Sequence, residues 1–524
     1  MIDKQAADIV LAVINAKWIH PSLALRLLKA NLGKFSSRCR ILEFALRQNQ
    51  QEMIDNILAA SPRILGFSVS IWNHKATLDL LKILEKKWIL KTGTGSGQPV
   101  RESVISRPCV VLGGPEVSWL PGNSEIFGYV DYVICGEGEE AFRELCRKIL
   151  EPAGKAAPGD LPCMVHENLQ EAGCKIAQFI KPRQVNLAAL ASPYDLYTDD
   201  DLCKRLIYAE SSRGCIFNCD FCLSAAESPR EFPLEIFLAD MDKLLGRIAV
   251  CANTACTQTA QELSGRGSVQ KRTVKLLDRS LNANPKRASA IMAFFLDRIV
   301  NGKINICVHF EMVPFNFTPE LKNILCLFPP GSLRLELGIQ TLNPAAASVI
   351  NRAGDAETAL ENLVFLREKT NAIVHADLIA GLPGEDLQSF AQGFDRLWTA
   401  MTGCKVRTGE CAAVSMEIQP GILKLLPGSP MQRHSVHYGM IYSKEPPYEV
   451  METSAVPPAE MDRLKNFARF WEILVNRNHF PDQISVLVPA GEPVFWRFMD
   501  LADRLLAKFG RNWGIAREEL RDAL

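Results

Sequence analysis

Short apolar runs alternate with amphipathic stretches through the first part of the chain. IVLAVI (Ile9–Ile14) is apolar at every position, the pattern of a strand covered on both faces. Ser22 is placed to cap a helix through LALRLLKANL, which Gly33 stops. A second strand falls near RILEFAL and is followed by a helix over Gln51–Ala60. ILGFSVS (Ile64–Ser70) is a third strand, with a helix over His74–Lys87 after it. CVVLGG and YVDYVICG read as further strands and Glu139–Leu150 as a helix. Such alternation predicts an α/β fold with a doubly wound parallel sheet over residues 1–160, its ligand beyond the carboxyl ends of the strands.

A connector rich in Pro, Ala and Gly occupies about 161–200, and a second alternation begins at LIYAESS (Leu206–Ser212). VKLLD, INICVHFEM, LRLELGIQ, AIVHADLIAG and AVSMEIQPG are its later strands. Helical stretches separate them, notably Ala288–Ile299 and Glu357–Lys369. Six such units predict a partial (β/α)6 barrel over 201–432. The polar segment Cys251–Lys271, rich in Thr, Gln, Ser and Gly, reads as a surface insertion. After Arg433 the alternation is lost, and 433–524 is expected to form a small, mostly helical domain or cap.

Composition narrows the class. Lys and Arg number 59 and so do Asp and Glu, a formal net charge of zero that argues against nucleic acid as a partner. No apolar run reaches the roughly 18–20 residues of a membrane span. The first residues, with Asp3, Lys4 and Asp8, do not resemble a secretory signal, so a cytoplasmic protein is expected. Sixteen cysteines are scattered without a disulfide framework, and several, such as Cys109, Cys135 and Cys307, sit in apolar runs as small hydrophobes.

Three cysteines stand apart by spacing. GCIFNCDFC places Cys215, Cys219 and Cys222 in a C-x3-C-x2-C loop at the end of a predicted barrel strand. Iron–sulfur clusters generally take four thiolates, so three would leave one iron open. Zinc would want a fourth ligand, and neither a second C-x2-C nor an H-x3-H lies at finger spacing. Phe217 and Phe221 could shield a cluster from solvent. The insertion's Cys251 and Cys256 leave an auxiliary cluster as the alternative to two incidental thiols.

This loop resembles the signature of the radical S-adenosylmethionine superfamily. The resemblance implies a 4Fe–4S cluster whose open iron is chelated by S-adenosylmethionine, and cleavage to a 5′-deoxyadenosyl radical. HFEM with Glu311 resembles the third barrel strand of that family, and LELGIQTLN with Gly338 and Gln340 the fourth. HADLIAGLPGED, with Gly381 and Pro383, resembles the segment on which the adenine packs. Asp278 resembles an acidic position that binds the ribose or methionyl amine, with a capped helix start as the alternative. Asn351 and Arg352 are candidates for the methionyl carboxylate, Arg being suited to planar bidentate contacts, with an exposed arginine as the alternative.

The front sheet carries NAKWIHPSLA, ILGFSVSIWN, VVLGGPEVS and VICGEGEEAF in sequence. Together these resemble the cobalamin-binding domain of one radical-enzyme subgroup, and the tail after IQPGILKLLPGSPM resembles its subfamily whose C-terminal region has no assigned role. The resemblance makes Gly113, Gly114, Glu116, Gly136, Glu137 and Gly138 candidates for the corrin, and Ser68 and Ser70 for its nucleotide tail. The Asp-x-His-x-x-Gly loop that gives cobalt a histidine is missing here. His20 is its nearest positional substitute, with a helix-start or substrate role as the alternative, and His74 a poorer one. The expected activity is a cobalamin-dependent methyl transfer to a small molecule or peptide, fed by a flavodoxin- or ferredoxin-type electron donor. The alternatives are a radical enzyme without cobalamin and a non-catalytic cobalamin or redox sensor.

Overall fold

The computed structural model describes residues 6–89, 106–151, 163–164, 177–259, 271–403 and 416–524. The chain divides into two compact units, Met1–Tyr208 with Ala239–Ser264, and Ala209–Leu238 with Gly265–Leu524.

The first unit is built on strands β1 (Ile9–Asn15), β2 (Cys39–Ala45), β3 (Ile64–Ser68), β4 (Cys109–Gly113), β5 (Tyr132–Ile134), β6 (Cys163–Met164) and β7 (Gln178–Ile180). They lie in the order β2-β1-β3-β4-β5-β7-β6, parallel except for β6. Every residue of β1 is buried, as its unbroken apolar run requires. One face of the sheet packs with Val10, Ala12 and Ile14 and the other with Ile9, Leu11 and Val13. Ser22 caps the helix Leu23–Ala30 by accepting the Leu25 N–H, as read from the sequence. The connector adds β6 and β7 to the sheet, which the sequence reading lacked. The order reverses at β1 and β3, so the loops after β1, β3, β4 and β5 share one edge, where doubly wound sheets bind ligands.

A buried charge quartet holds the end of the connector. Arg26 Nη2 donates to Asp201 Oδ2 (2.7 Å) and to Glu43 Oε2 (3.1 Å), while Arg205 Nη1 donates to Glu43 Oε2 (2.6 Å) and Asp201 Oδ1 (2.9 Å). Burial raises the Asp201 carboxyl, but Arg26, the Thr198 N–H and Arg205 bring it below its ordinary value.

The second alternation opens with β8 (Ile207–Ala209) and a short antiparallel pair, β9 (Ser212–Arg213) with β10 (Arg230–Glu231). It continues through β11 (Arg272–Leu276), β12 (Ile306–Met312), β13 (Leu333–Gln340), β14 (Ile373–Ala380) and β15 (Met416–Ile422). The sheet order β15-β14-β13-β12-β11-β8 is that of an open six-stranded parallel barrel. Burial alternates along β13 and β14. Leu333, Leu335 and Leu337 are fully buried, while Glu336 and Gly338 take the opposite face.

Residues 251–259, expected to begin a polar insertion, instead continue the helix Leu234–Thr259; 260–270 lie outside the described residues. Beyond Arg433 the chain forms helices Pro458–Trp471, Pro481–Leu487, Phe495–Phe509 and Arg517–Arg521, within the same compact unit as the barrel. Their core is aromatic: Phe394, Phe467, Trp471, Phe495 and Phe498 pack largely edge to face.

Candidate active site

The cysteine loop leaves β9 through Gly214, which stands at φ +82; a Cβ there would lie 2.6 Å from the Ser228 carbonyl oxygen, so a side chain is excluded. The Cys215 N–H donates to Glu227 O (3.1 Å) and the Cys222 N–H to Cys219 O (3.0 Å), which folds the loop back on itself. Cys215 Sγ lies 3.6 Å from Ser280 Oγ, and Arg352 Nη1 lies 3.7 Å from Cys219 Sγ. Burial holds the Cys219 thiol above its ordinary value, and the Arg352 charge works against it. Phe217 packs edge to face on Phe315, with Arg352 over both rings at 6.0 and 5.9 Å. An open cleft of about 490 Å³ lies here, lined by Ile216, Phe217, Asn218, Asn351, Arg352 and Ala353.

No three His, Cys, Asp or Glu side chains among the described residues converge as ligands of one metal ion. A cubic cluster asks for something else. Each thiolate binds a different iron, so its ligands stand farther apart than those around a single ion. Three cysteines on one folded loop beside a cationic guanidinium fit that requirement.

The other candidates divide by what their side chains already hold. Asp278 is buried and takes the Ser211 N–H (2.9 Å), Ser211 Oγ (2.6 Å) and Ser212 Oγ (2.6 Å). Those bonds anchor the strand that feeds the cysteine loop, and none of them caps a helix. Burial pushes the Asp278 carboxyl up, against the pull of those serines. Asn351 gives its amide to Asp220 Oδ1 (3.0 Å), and Arg352 donates to Gly338 O. The two residues bracket the loop instead of lying free. A Cβ on Gly338 would meet Gln340 Nε2 at 2.4 Å, and one on Gly381 would meet Val450 Cγ1 at 2.6 Å and Met461 Cε at 2.9 Å. Val450 and Met461 of the C-terminal region thus pack against Gly381, and Pro383 is buried.

Glu311 belongs to a charged layer on the less buried face of the barrel strands. Lys275 Nζ lies 3.0 Å from Glu311 and 2.8 Å from Glu336, and His309 Nε2 lies 3.2 Å from Glu336. His375 pairs with Glu417 at 2.7 Å. Burial would raise the Glu336 carboxyl, but His309 and Lys275 bring it down to about 2; burial lowers His309 to about 4. Asp377 shares this layer, and burial with Glu336 and Glu311 lifts its carboxyl to about 7. Sequence reading named only Glu311 of this group. The missed signal was the polar alternation in VHFEM, LELG and VHADL, where every second residue is charged, polar or small.

In the first unit, Gly114 stands at φ +109 where a Cβ would lie 2.5 Å from Val69 O, so the loops after β3 and β4 touch backbone to backbone. Ser118 Oγ donates to Gly114 O (2.8 Å) and takes the Gly136 N–H (3.2 Å), tying in the loop after β5. Around Gly136 a Cβ would find nothing within 4 Å, while one on Gly138 would meet Leu28 at 3.2 Å and one on Gly113 would meet Ile134 O at 3.7 Å. Glu116 is buried against His74 Nδ1 (2.9 Å), and Glu137 takes the Val185 N–H (2.8 Å), so both carboxylates serve the protein itself. The Ser70 N–H donates to Asn73 Oδ1 (2.8 Å) and Ser68 O accepts from Asn73 Nδ2 (3.1 Å), which places both serines in the turn into the next helix. His20 Nδ1 lies 2.7 Å from Tyr208 Oη. Sequence reading passed over three tryptophans in these loops: Trp18, Trp72 and Trp119 are 49%, 53% and 51% exposed. Large apolar side chains left exposed in these loops suit a broad, flat ligand.

Residues 9–146 match the family model of the B12 binding domain. Residues 436–514 match a second model, described as a protein of unknown function (DUF4080). The chain is 32% identical over 183 residues to the cobalamin-dependent radical SAM methyltransferase TokK of Streptomyces tokunonensis, a match covering 33% of this chain and 23% of that protein. It therefore spans about a quarter of the length of that curated relative. Among solved structures, the cobalamin-dependent S-adenosylmethionine radical enzyme OxsB, with aqua-cobalamin and S-adenosylmethionine bound, superposes with a TM-score of 0.61 at 13% identity, over 98% of this chain and 74% of that one. The radical S-adenosylmethionine methyltransferase TsrM from Kitasatospora setae, with tryptophan and a SAM analogue bound, gives a TM-score of 0.56 at 14% identity over 86% and 81%. These likenesses place the fold: a B12-binding type of domain followed by an open barrel. Among the described residues no helix is long and apolar enough to cross a membrane.

Proposed function

We propose that the chain is a cobalamin-dependent radical S-adenosylmethionine methyltransferase. The reading rests chiefly on one arrangement: Cys215, Cys219 and Cys222 on a single loop at the mouth of an open parallel barrel, with Arg352 against Cys219. A 4Fe–4S cluster and cobalamin, when bound, supply the electron that cleaves the sulfonium of S-adenosylmethionine and the carrier for its methyl group. Cys215, Cys219 and Cys222 would each hold one iron of such a cluster and would leave the fourth for the amino acid end of S-adenosylmethionine. Arg352 keeps positive charge beside the thiolates, and its bond to Gly338 O fixes the guanidinium at the end of β13. Lys275, Glu311 and Glu336 give the barrel interior ordered charges able to take up hydroxyl or amine groups. Asp377, held neutral up to about pH 7, can donate a hydrogen bond there.

In the first unit the loops carrying Gly114, Ser118 and Gly136 form the floor for cobalamin, and Trp18, Trp72 and Trp119 its apolar surroundings. The substrate is a small molecule or peptide, the electron donor a flavodoxin- or ferredoxin-type protein, and the setting cytoplasmic and reducing. Anaerobic incubation with S-adenosylmethionine and dithionite tests the reading. Wild-type protein should form 5′-deoxyadenosine, and Cys215→Ala, Cys219→Ala and Cys222→Ala should form none. Undiminished cleavage by any of the three would contradict the assignment of that cysteine.

A further inference from the structure

Asp220 lies inside the cysteine loop, next to Cys219 and two residues before Cys222, and is 1% exposed. A buried carboxylate needs partners, and every one of those found comes from far along the chain. Its Oδ1 accepts from Asn351 Nδ2 (3.0 Å), and its Oδ2 is met by Arg433 Nη2 (2.5 Å) and His434 Nε2 (2.5 Å). The Asp220 N–H donates to Ile350 O (3.0 Å), so backbone and side chain are both fixed. Arg433 and His434 end the short turn Pro430–His434, immediately before the region of unassigned role. That region then reaches the turn after β14. The Tyr438 N–H donates to His434 O (3.1 Å), and a Cβ on Gly384 would lie 3.3 Å from Tyr438 Cε1.

We propose that Asp220, Arg433 and His434 form a latch through which the C-terminal region positions the cluster loop and sets the reduction potential of its cluster. The inference rests on the proposed function, in that the three cysteines are taken to hold the cluster. Its physical content is a charge argument. A carboxylate one residue from a ligating thiolate disfavours adding an electron to the cluster, and the Arg433 cation offsets it. Arg433 is half-exposed at its side chain, so its replacement leaves the fold standing while uncovering the Asp220 charge. Asn351 donates to the same carboxylate and its chain neighbour Arg352 stands beside Cys219, so the latch also orders that guanidinium.

The test is an EPR-monitored redox titration of anaerobically reconstituted full-length protein, with iron measured on each sample. Arg433→Ala should lower the midpoint potential of the cluster, and Arg433→Lys, which keeps the charge, should restore it most of the way. Asp220→Asn should raise it. His434→Ala should broaden or shift the cluster signal without loss of iron. Should wild type bind no iron, the proposed function fails. Should wild type and Arg433→Ala bind iron equally and share one midpoint potential, the latch fails while the proposed function stands.

Discussion

At the scale of single residues, the interior of the barrel is organised by which charges are compensated. Lys275 answers Glu311 and Glu336, whereas Asp377 is buried beside those same carboxylates and is lifted to about 7 against the pull of Lys275. A carboxyl whose folded value lies above its ordinary 3.8 binds its proton more tightly in the native state than in the unfolded chain. Its contribution to stability is therefore full below about pH 4 and is lost as the pH rises toward 7. Asp377→Asn should remove that loss, so the variant gains in melting temperature over wild type as the pH is raised from 4 to 7. A constant difference across that range would show Asp377 to be ionised throughout. Residues also set the limits of reading a sequence. Asp278 is a ligand candidate through its resemblance to an acidic position of the radical enzymes, and Glu116 and Glu137 through the GGPE and GEGE loops that follow strands. Nothing local announced that Ser211, His74 and Val185 would claim their carboxylates. The Asp220–His434 contact spans 214 positions and no periodicity could reveal it.

At the scale of elements, legibility follows how local the cause is. The strand at Ile9–Asn15 and the cap at Ser22 were read correctly because an unbroken apolar run and a hydroxyl before an amphipathic stretch act within a few residues. The short strands β6 and β7 were missed, since a two- or three-residue strand gains its identity from the neighbour it pairs with. Burial in β1 predicts that Leu11→Ala costs about 2–5 kcal/mol in a urea titration, by lost transfer energy and the cavity left behind. The connector offers a sharper test. Arg26→Ala would strip two buried carboxylates of a shared cation and should destabilise the first unit by about 3–5 kcal/mol. Less than about 1 kcal/mol, the range of an exposed pair, would show the quartet to be solvated.

At the scale of the whole molecule, two sheets of parallel strands each present loops at their carboxyl ends, and each set of loops has its own chemistry. The first offers exposed tryptophans and close backbones; the second offers three thiols, a guanidinium and an ordered interior of charge. The sequence made the cysteine loop plain, because three thiols at fixed spacing have few other uses. Of the C-terminal region it disclosed a mostly helical stretch of unassigned role but not its place, because its contacts with the loop at Asp220 and the turn at Gly381–Gly384 exist only after folding. The central claim, two metal cofactors in one chain, is tested most directly by metal content. Protein purified anaerobically from cobalamin-fed cells should carry about four irons per chain and close to one cobalt by mass spectrometry. Iron without cobalt would contradict the cobalamin half of the account, and no iron even after reconstitution would contradict the radical chemistry itself.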